Sequence, residues 1–321
     1  MKYNNQVESD VFCILFSAIL LSSSVYDGVT WRFNKTRVMR YPPLLTTYRG
    51  PRSDGPDSRD YIYKPTNKLS GRGVDLRGSC PPAYNQEYMR SCNVHAVAGA
   101  FEFDVKKQGL PLFSPSRLFI WYHARDRPHD RTAVPKDLAV TFKEAIQTLN
   151  KGHGVCSEHD WHYEASRSDK KTFKVPPNAK AARKPSFDVE KHARQHTALR
   201  YWLIPDEGRH NSLIKYLDER YPFLFAMDIY GLLYNGTINE NNHYTIRLPT
   251  DKDKNNKKYK TLRHSLLAVG HNPQRKVFII RNSWGANWGD QGYFYAPYNY
   301  LKHHCDSFWT ICTVKSLPDE P

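Results

Sequence analysis

The chain has 321 residues, 40% of them hydrophobic and 13% aromatic, which suits one two-lobed domain or two modest ones with a sizeable core and excludes wholesale disorder. Its 47 Lys and Arg outnumber 32 Asp and Glu for a formal charge of +15, a balance that favours acidic partners such as nucleic acid, anionic glycans or lipid surfaces. No recognition helix, zinc-finger spacing or RNA-binding aromatic signature accompanies that charge, so nucleic acid is not expected as a partner.

Val11 to Leu21 (VFCILFSAILL) is an apolar stretch followed by Ser22, Ser23 and Ser24. It is short for a membrane span and reads as a signal-peptide core, with residues 1–24 as the signal and a secreted, endolysosomal or vacuolar destination. An uncleaved anchor and a buried strand are the alternatives, and the n-region offers only Lys2 against Glu8 and Asp10. The sequons at Asn34 and Asn235 are compatible with export. Loss of Cys13 with the signal leaves Cys80, Cys92, Cys156, Cys305 and Cys312. An odd number allows up to two disulfides and one free thiol, which in an oxidising compartment is a candidate nucleophile.

Residues 25–73, rich in Arg, Pro, Gly, Ser and Asp, have no helical or strand period and read as an extended arm or short pro-segment. The folded domain is expected over 74–317, with a helical lobe to about residue 200 and a β lobe beyond it. Ser91 precedes apolar positions at Val94, Val97, Ala98, Phe101 and Val105, spaced three and four apart and closed by Gly109, which predicts an amphipathic helix with Cys92 in its first turn. Further helices are expected over Ser116 to Arg125, Asp137 to Lys151, Val189 to Ala198 and Asn211 to Arg220. After Tyr221, short β-branched and aromatic runs predict strands: FLFAMDIY, SLLAVGH, KVFIIR, GYFYAPY and SFWTICTV. Asn272-Pro-Gln-Arg275 predicts a hairpin turn between the second and third runs. A helical half followed by an antiparallel half is an α+β arrangement with a groove where the halves meet.

Three separated segments carry chemistry. In the first, Gln86 sits six residues before Cys92. A helix N-terminus stabilises a thiolate, and the Cys92 N–H with the Gln86 amide can hold a developing oxyanion. In the second, His264 heads an apolar strand, at the rim of a sheet. In the third, Asn282 follows KVFIIR, where its carboxamide can accept from one imidazole nitrogen while Trp284 shields that bond. Taken singly, each has a bland alternative: a core cysteine, a structural histidine, a tight turn with a packed indole. The hairpin joins the last two, because paired strands bring His264 and Asn282 to one end of the sheet.

The order Gln, Cys, His, Asn, in the strings NQEYMRSC, HSLLAVG and NSWGANWGDQGY, resembles the papain (cathepsin) family of cysteine peptidases over about Val74 to Val314. VDLRGSCPPAYNQ resembles the microbial and fungal branch of that family. The resemblance implies a papain-like two-lobed α+β fold, with a helical left lobe and an antiparallel β-barrel-like right lobe flanking the cleft. It implies Cys92 as nucleophile, His264 as base and later acid, Asn282 as orienter, Gln86 as oxyanion donor and Trp284 as the covering indole. Peptides or proteins would be cleaved through a thioester by a monomeric enzyme without metal or organic cofactor.

The likeness departs at Arg90 and Asn93 beside the nucleophile, at Met89 where a bridging cysteine is usual, and at Val134 to Ala139, which lacks the paired glycines that hold substrate backbone. Residues 25–73 are also short for a long inhibitory propeptide. Arg90, Ser91 and Arg263 are candidate substrate contacts, and Arg263 with the lysines at 252, 254, 257, 258 and 260 would favour Asp or Glu near the scissile bond. The rival functions are a papain-fold binding or storage protein that cleaves weakly or not at all, and a transglutaminase-like acyltransferase, against which Asn282 and its neighbouring tryptophans argue.

Overall fold

The computed structural model describes residues 65, 69–127, 130, 132–150, 153–205, 209–238, 243–259 and 262–313. The expected signal segment, most of the N-terminal arm, and Asn34 lie outside the described residues. After a short strand β1 (Val74–Asp75), the helical half begins with α1 (Cys92–Lys107). Its predicted apolar stripe, Val94, Val97, Ala98, Phe101 and Val105, is buried throughout. Next comes α2 (Arg117–Arg125), started by Ser116, whose hydroxyl accepts the Phe119 N–H at 3.1 Å.

Helix α3 (Phe142–Asn150) starts later than the predicted Asp137. Thr141 and Glu144 form a reciprocal capping box there: the Thr141 hydroxyl accepts the Glu144 N–H at 3.1 Å, and the Glu144 carboxylate accepts the Thr141 N–H at 2.8 Å. Asp137 is buried, accepting the Arg90 N–H at 2.8 Å and the Ser168 hydroxyl at 3.1 Å. Helix α4 (Phe187–Ala193) ends before the predicted Ala198, where the chain enters β2 (Ala198–Leu203), a strand the sequence pattern did not announce. Helix α5 (Arg209–Asp218) follows, two residues earlier than predicted.

The remaining elements are β3 (Phe223–Asp228), β4 (Thr237–Ile238), β5 (Tyr244–Thr245), α6 (Asp251–Lys254), β6 (Arg263–Asn272), β7 (Val277–Arg281), β8 (Tyr293–Pro297), α7 (Tyr298–His304) and β9 (Cys305–Thr313). All the predicted strand runs contribute. They form one sheet in the order β2-β9-β3-β6-β7-β8-β5-β4, with β1 also on β6, and every pairing is antiparallel except β5 with β8. The predicted hairpin is present, with Asn272 opposite Val277 across the turn. Among the described residues no pairing joins β2 to β4, so the expected barrel-like lobe is an open sheet. Strands β4 and β5 have two residues each, too few to carry a closing seam.

Helix α1 packs against β6 and β9, and Val94, Val97 and Phe101 of the helix share one buried core cluster with Leu266, Leu267 and Trp309 of the strands. Cys80, Cys92 and Cys156 are free thiols, so the two disulfides allowed by five cysteines cannot both form. Among the described residues no helix is long and apolar enough to cross a membrane.

Candidate active site

Cys92 is the first residue of α1, and its side chain is buried at 3% exposure. The tight approach of α1 to the sheet is possible because Gly99, two turns on, faces β7 without a side chain: a Cβ there would meet Arg281 Nε at 3.2 Å. Ser265 of β6 lies against the sulfur. Burial pushes the Cys92 thiol up, while the Ser265 N–H and hydroxyl and the N–H groups at the helix start favour the thiolate. The Sγ also lies 3.6 Å from Asn93 Oδ1.

His264 precedes Ser265 on the same strand and is buried at 1% exposure. Its Nε2–H donates to Asn282 Oδ1 at 2.8 Å, which leaves Nδ1 uncommitted by that bond. Burial pushes the imidazole down to about 4, partly opposed by the bond to Asn282. The resting thiol and imidazole are therefore both biased toward their neutral forms. Asn282 Oδ1 also accepts the Ser283 N–H at 2.8 Å, so the carboxamide oxygen has two donors and a fixed direction. The Trp284 ring stacks on the imidazole with centroids 4.9 Å apart and an interplanar angle of 25°, with Tyr234 stacked behind it at 5.7 Å.

The loop carrying Gln86 is tied to the strand-end segment carrying Asn282. The Gln86 N–H donates to Ser283 O at 2.8 Å, and Ser283 Oγ donates to Gln86 Oε1 at 2.6 Å. The side-chain amide of Gln86 donates one N–H to Met89 O at 2.8 Å. Met89, in place of a bridging cysteine, is a core residue at 1% exposure. Two glycines make this junction possible. Gly285 at φ +80° turns the chain after Trp284 so that its N–H reaches Tyr84 O at 2.8 Å. Gly292 at φ +91° has Ala83 Cβ only 2.2 Å from where a Cβ would stand.

The three candidate substrate contacts are placed differently from the central residues. Arg90 is largely buried, its guanidinium 4.1 Å above the Phe173 ring. Ser91 is fully buried, with its Oγ 2.8 Å from Tyr163 Oη, which donates in turn to Gln86 O at 2.9 Å. Arg263 pairs with Asp306 and reaches Asp228 at 3.5 Å, so carboxylates balance the positive charge expected beside the base. The segment from Val134 to Ala139 serves as a brace, since the carbonyls of Val134 and Lys136 accept from the buried Arg125 guanidinium.

Sequence reasoning missed two residues behind Asn282. A small cavity of about 10 Å³ there is lined by Tyr84, His95, Ser265, Arg281, Asn282 and Ser283, among others. His95 Nδ1–H donates to Ser91 O at 2.8 Å, so in the neutral ring Nε2 carries the lone pair. That Nε2, Ser265 Oγ and Asn282 Nδ2 are all buried without a well-formed hydrogen bond. A histidine inside a helix gives no sequence signal of such a position. Arg281, also lining the cavity, clamps the carbonyls of Pro81 and Pro82, the latter at 2.7 Å, fixing the chain one residue before Asn282.

Residues 140–306 match the family model for papain family cysteine protease, a span that contains His264 and Asn282. The chain belongs to the papain family. Xylellain, a cysteine protease from Xylella fastidiosa, is 33% identical with a TM-score of 0.71, the match covering 83% of this chain and 96% of xylellain. An uncharacterised peptidase C1-like protein of Acanthamoeba polyphaga mimivirus is 28% identical over 236 residues, 72% of this chain and 69% of the relative. Digestive procathepsin L 3 of Tenebrio molitor shares the fold at a TM-score of 0.58 and 19% identity, over 97% of this chain and 94% of that one. The expected microbial kinship thus has a bacterial and a viral representative, and the papain-family chain described here is a cysteine-type peptidase, a hydrolase.

Proposed function

We infer that this papain-family chain hydrolyses peptide bonds through a thioester on Cys92. The observation that carries the reading is the His264 to Asn282 hydrogen bond of 2.8 Å beneath the Trp284 ring, on the strand whose next residue, Ser265, touches the Cys92 sulfur. Asn282 fixes the imidazole so that Nδ1 is the nitrogen left to take the thiol proton. As sulfur attacks the carbonyl carbon, that proton passes to His264, and the oxyanion is held by the Cys92 N–H and the second amide N–H of Gln86. His264 then protonates the departing amine, leaving the thioester. Water, deprotonated by His264, attacks the thioester, and the thiol leaves with the proton restored. Burial biases both titrating groups toward their neutral forms, which favours passing the proton as the bond forms.

A papain-fold protein that binds peptides without cleaving them is the competing reading, and the burial of Cys92 and His264 at 3% and 1% exposure favours it. Labelling with an epoxysuccinyl peptide separates the two. The peptidase reading expects a covalent adduct on the full chain, located at Cys92 by mass spectrometry and lost in Cys92→Ala. No adduct on either protein would support the binding reading.

A further inference from the structure

Away from the catalytic residues, three potential ligands from three separate elements meet in the helical half. His123 is in the last turn of α2, His153 follows α3, and Glu190 is on α4. One ligand atom from each lies within 4.8 Å of the others. His123 is half-buried, with 4% of its side chain exposed, and its Nε2 is 3.1 Å from Glu190 Oε1. The two groups are nevertheless out of line for a hydrogen bond, and Nε2 has no other partner. The His153 ring lies 4.3 Å from the His123 ring, tilted by 31°. His153 is exposed.

These residues border an open cavity of about 490 Å³ whose wall also includes Asp126, Lys184 and Arg194. Asp126 and Glu190 offset the two cations, so the cavity does not repel a metal ion through net charge. Two imidazoles and one carboxylate are a nitrogen-rich, borderline donor set. That set suits Zn²⁺ and its first-row neighbours and not Ca²⁺ or Mg²⁺, which take all-oxygen shells.

We propose that His123, His153 and Glu190 bind one Zn²⁺ ion, with water completing the tetrahedron. The ion would tie α2, the segment after α3, and α4 together. It is a structural cross-link in the helical half and takes no part in peptide hydrolysis.

The test uses the full chain carrying Cys92→Ala, because the catalytic thiol and His264 offer Zn²⁺ a rival pair of ligands. Equilibrium dialysis against Zn²⁺ is expected to give one tightly bound ion per chain, with a raised melting temperature. Co²⁺ in its place is expected to give the visible d–d bands of a tetrahedral site. Adding His153→Ala, which removes an exposed side chain, weakens Zn²⁺ binding by about a hundredfold or more, beyond the 10–100-fold typical of losing a supporting partner. Adding Glu190→Gln has the same direction of effect. The proposal is overturned if the Cys92→Ala chain takes up no stoichiometric Zn²⁺, or if its uptake is the same after His153→Ala.

Discussion

Ser283 and Gln86, 197 positions apart, are joined twice: Ser283 Oγ donates to Gln86 Oε1 at 2.6 Å, and the Gln86 N–H donates to Ser283 O at 2.8 Å. The segment that orients the imidazole therefore also orients the amide assigned to the oxyanion. Removing that amide by Gln86→Ala is expected to lower kcat by about 10²- to 10³-fold with little change in KM. Ser283→Ala leaves the amide in place but loosens its direction, and a loss of roughly tenfold is expected. If Ser283 acts through Gln86, the double variant is no slower than Gln86→Ala alone. Initial rates on a fluorogenic peptide decide it, and additive losses would show that the two act separately.

Ser265 sets its N–H and its hydroxyl, the latter without a well-formed hydrogen bond, beside the Cys92 sulfur, and both oppose the upward push of burial on the thiol. Ser265→Ala removes the hydroxyl alone. The thiol is then expected to titrate higher, seen as an alkaline shift in the pH profile of alkylation by iodoacetamide, with slower peptide hydrolysis near neutral pH. An unshifted profile would mean that the hydroxyl does not reach the sulfur in solution.

The pieces legible in the sequence were those with local cause. Ser91 and the spaced apolar residues marked α1 with Cys92 at its start, Asn272 to Arg275 marked the β6–β7 turn, and that hairpin anticipated the meeting of His264 with Asn282 at 2.8 Å. The pieces that were not legible depend on distant partners. Strand β2 exists because it pairs with β9 more than a hundred residues on, with Trp202 opposite Thr310, and no property of ALRYWL alone requires that. Asp137 looked like a helix start, yet its carboxylate is taken by Arg90 and Ser168, and the helix begins at the Thr141–Glu144 box. Arg263 read as an unbalanced charge because Asp228 and Asp306 are remote in sequence. His95 was invisible because its role comes from the cavity behind Asn282.

Arg281 makes a stability prediction linked to Gly99. Its guanidinium serves the carbonyls of Pro81 and Pro82, so Arg281→Met strands two acceptors at about 1–3 kcal/mol each. Gly99→Ala would ordinarily stabilise a helix interior by about 1 kcal/mol. Here the new Cβ stands 3.2 Å from Arg281 Nε, and a guanidinium held by both carbonyls cannot retreat. Gly99→Ala is thus expected to destabilise the native chain but to stabilise the Arg281→Met variant. Urea unfolding of the four proteins reads the change of sign, and stabilisation by Gly99→Ala in both backgrounds would rule out the clash.

Acid should weaken the fold through the two buried imidazoles at the site. Burial holds His264 at about 4 and His95 at about 3, against 6.5 for each in an exposed setting. Between about 6.5 and those lower values the unfolded chain takes up protons that the folded chain refuses. Stability is therefore full above about pH 6.5 and is lost as the pH falls through that window. For His264 alone the shift corresponds to a loss of about 3 kcal/mol once the pH is below 4. His95 lies edge-on to Tyr163 with centroids 4.7 Å apart, a setting that accepts another ring, so His95→Phe removes one titration while keeping an aromatic there. In the Cys92→Ala background, which prevents self-cleavage, the urea midpoint is expected to fall steadily from pH 7 to pH 4.5, and to fall less steeply with His95→Phe. A midpoint that stays level over that range would show that these imidazoles reach water in the folded chain.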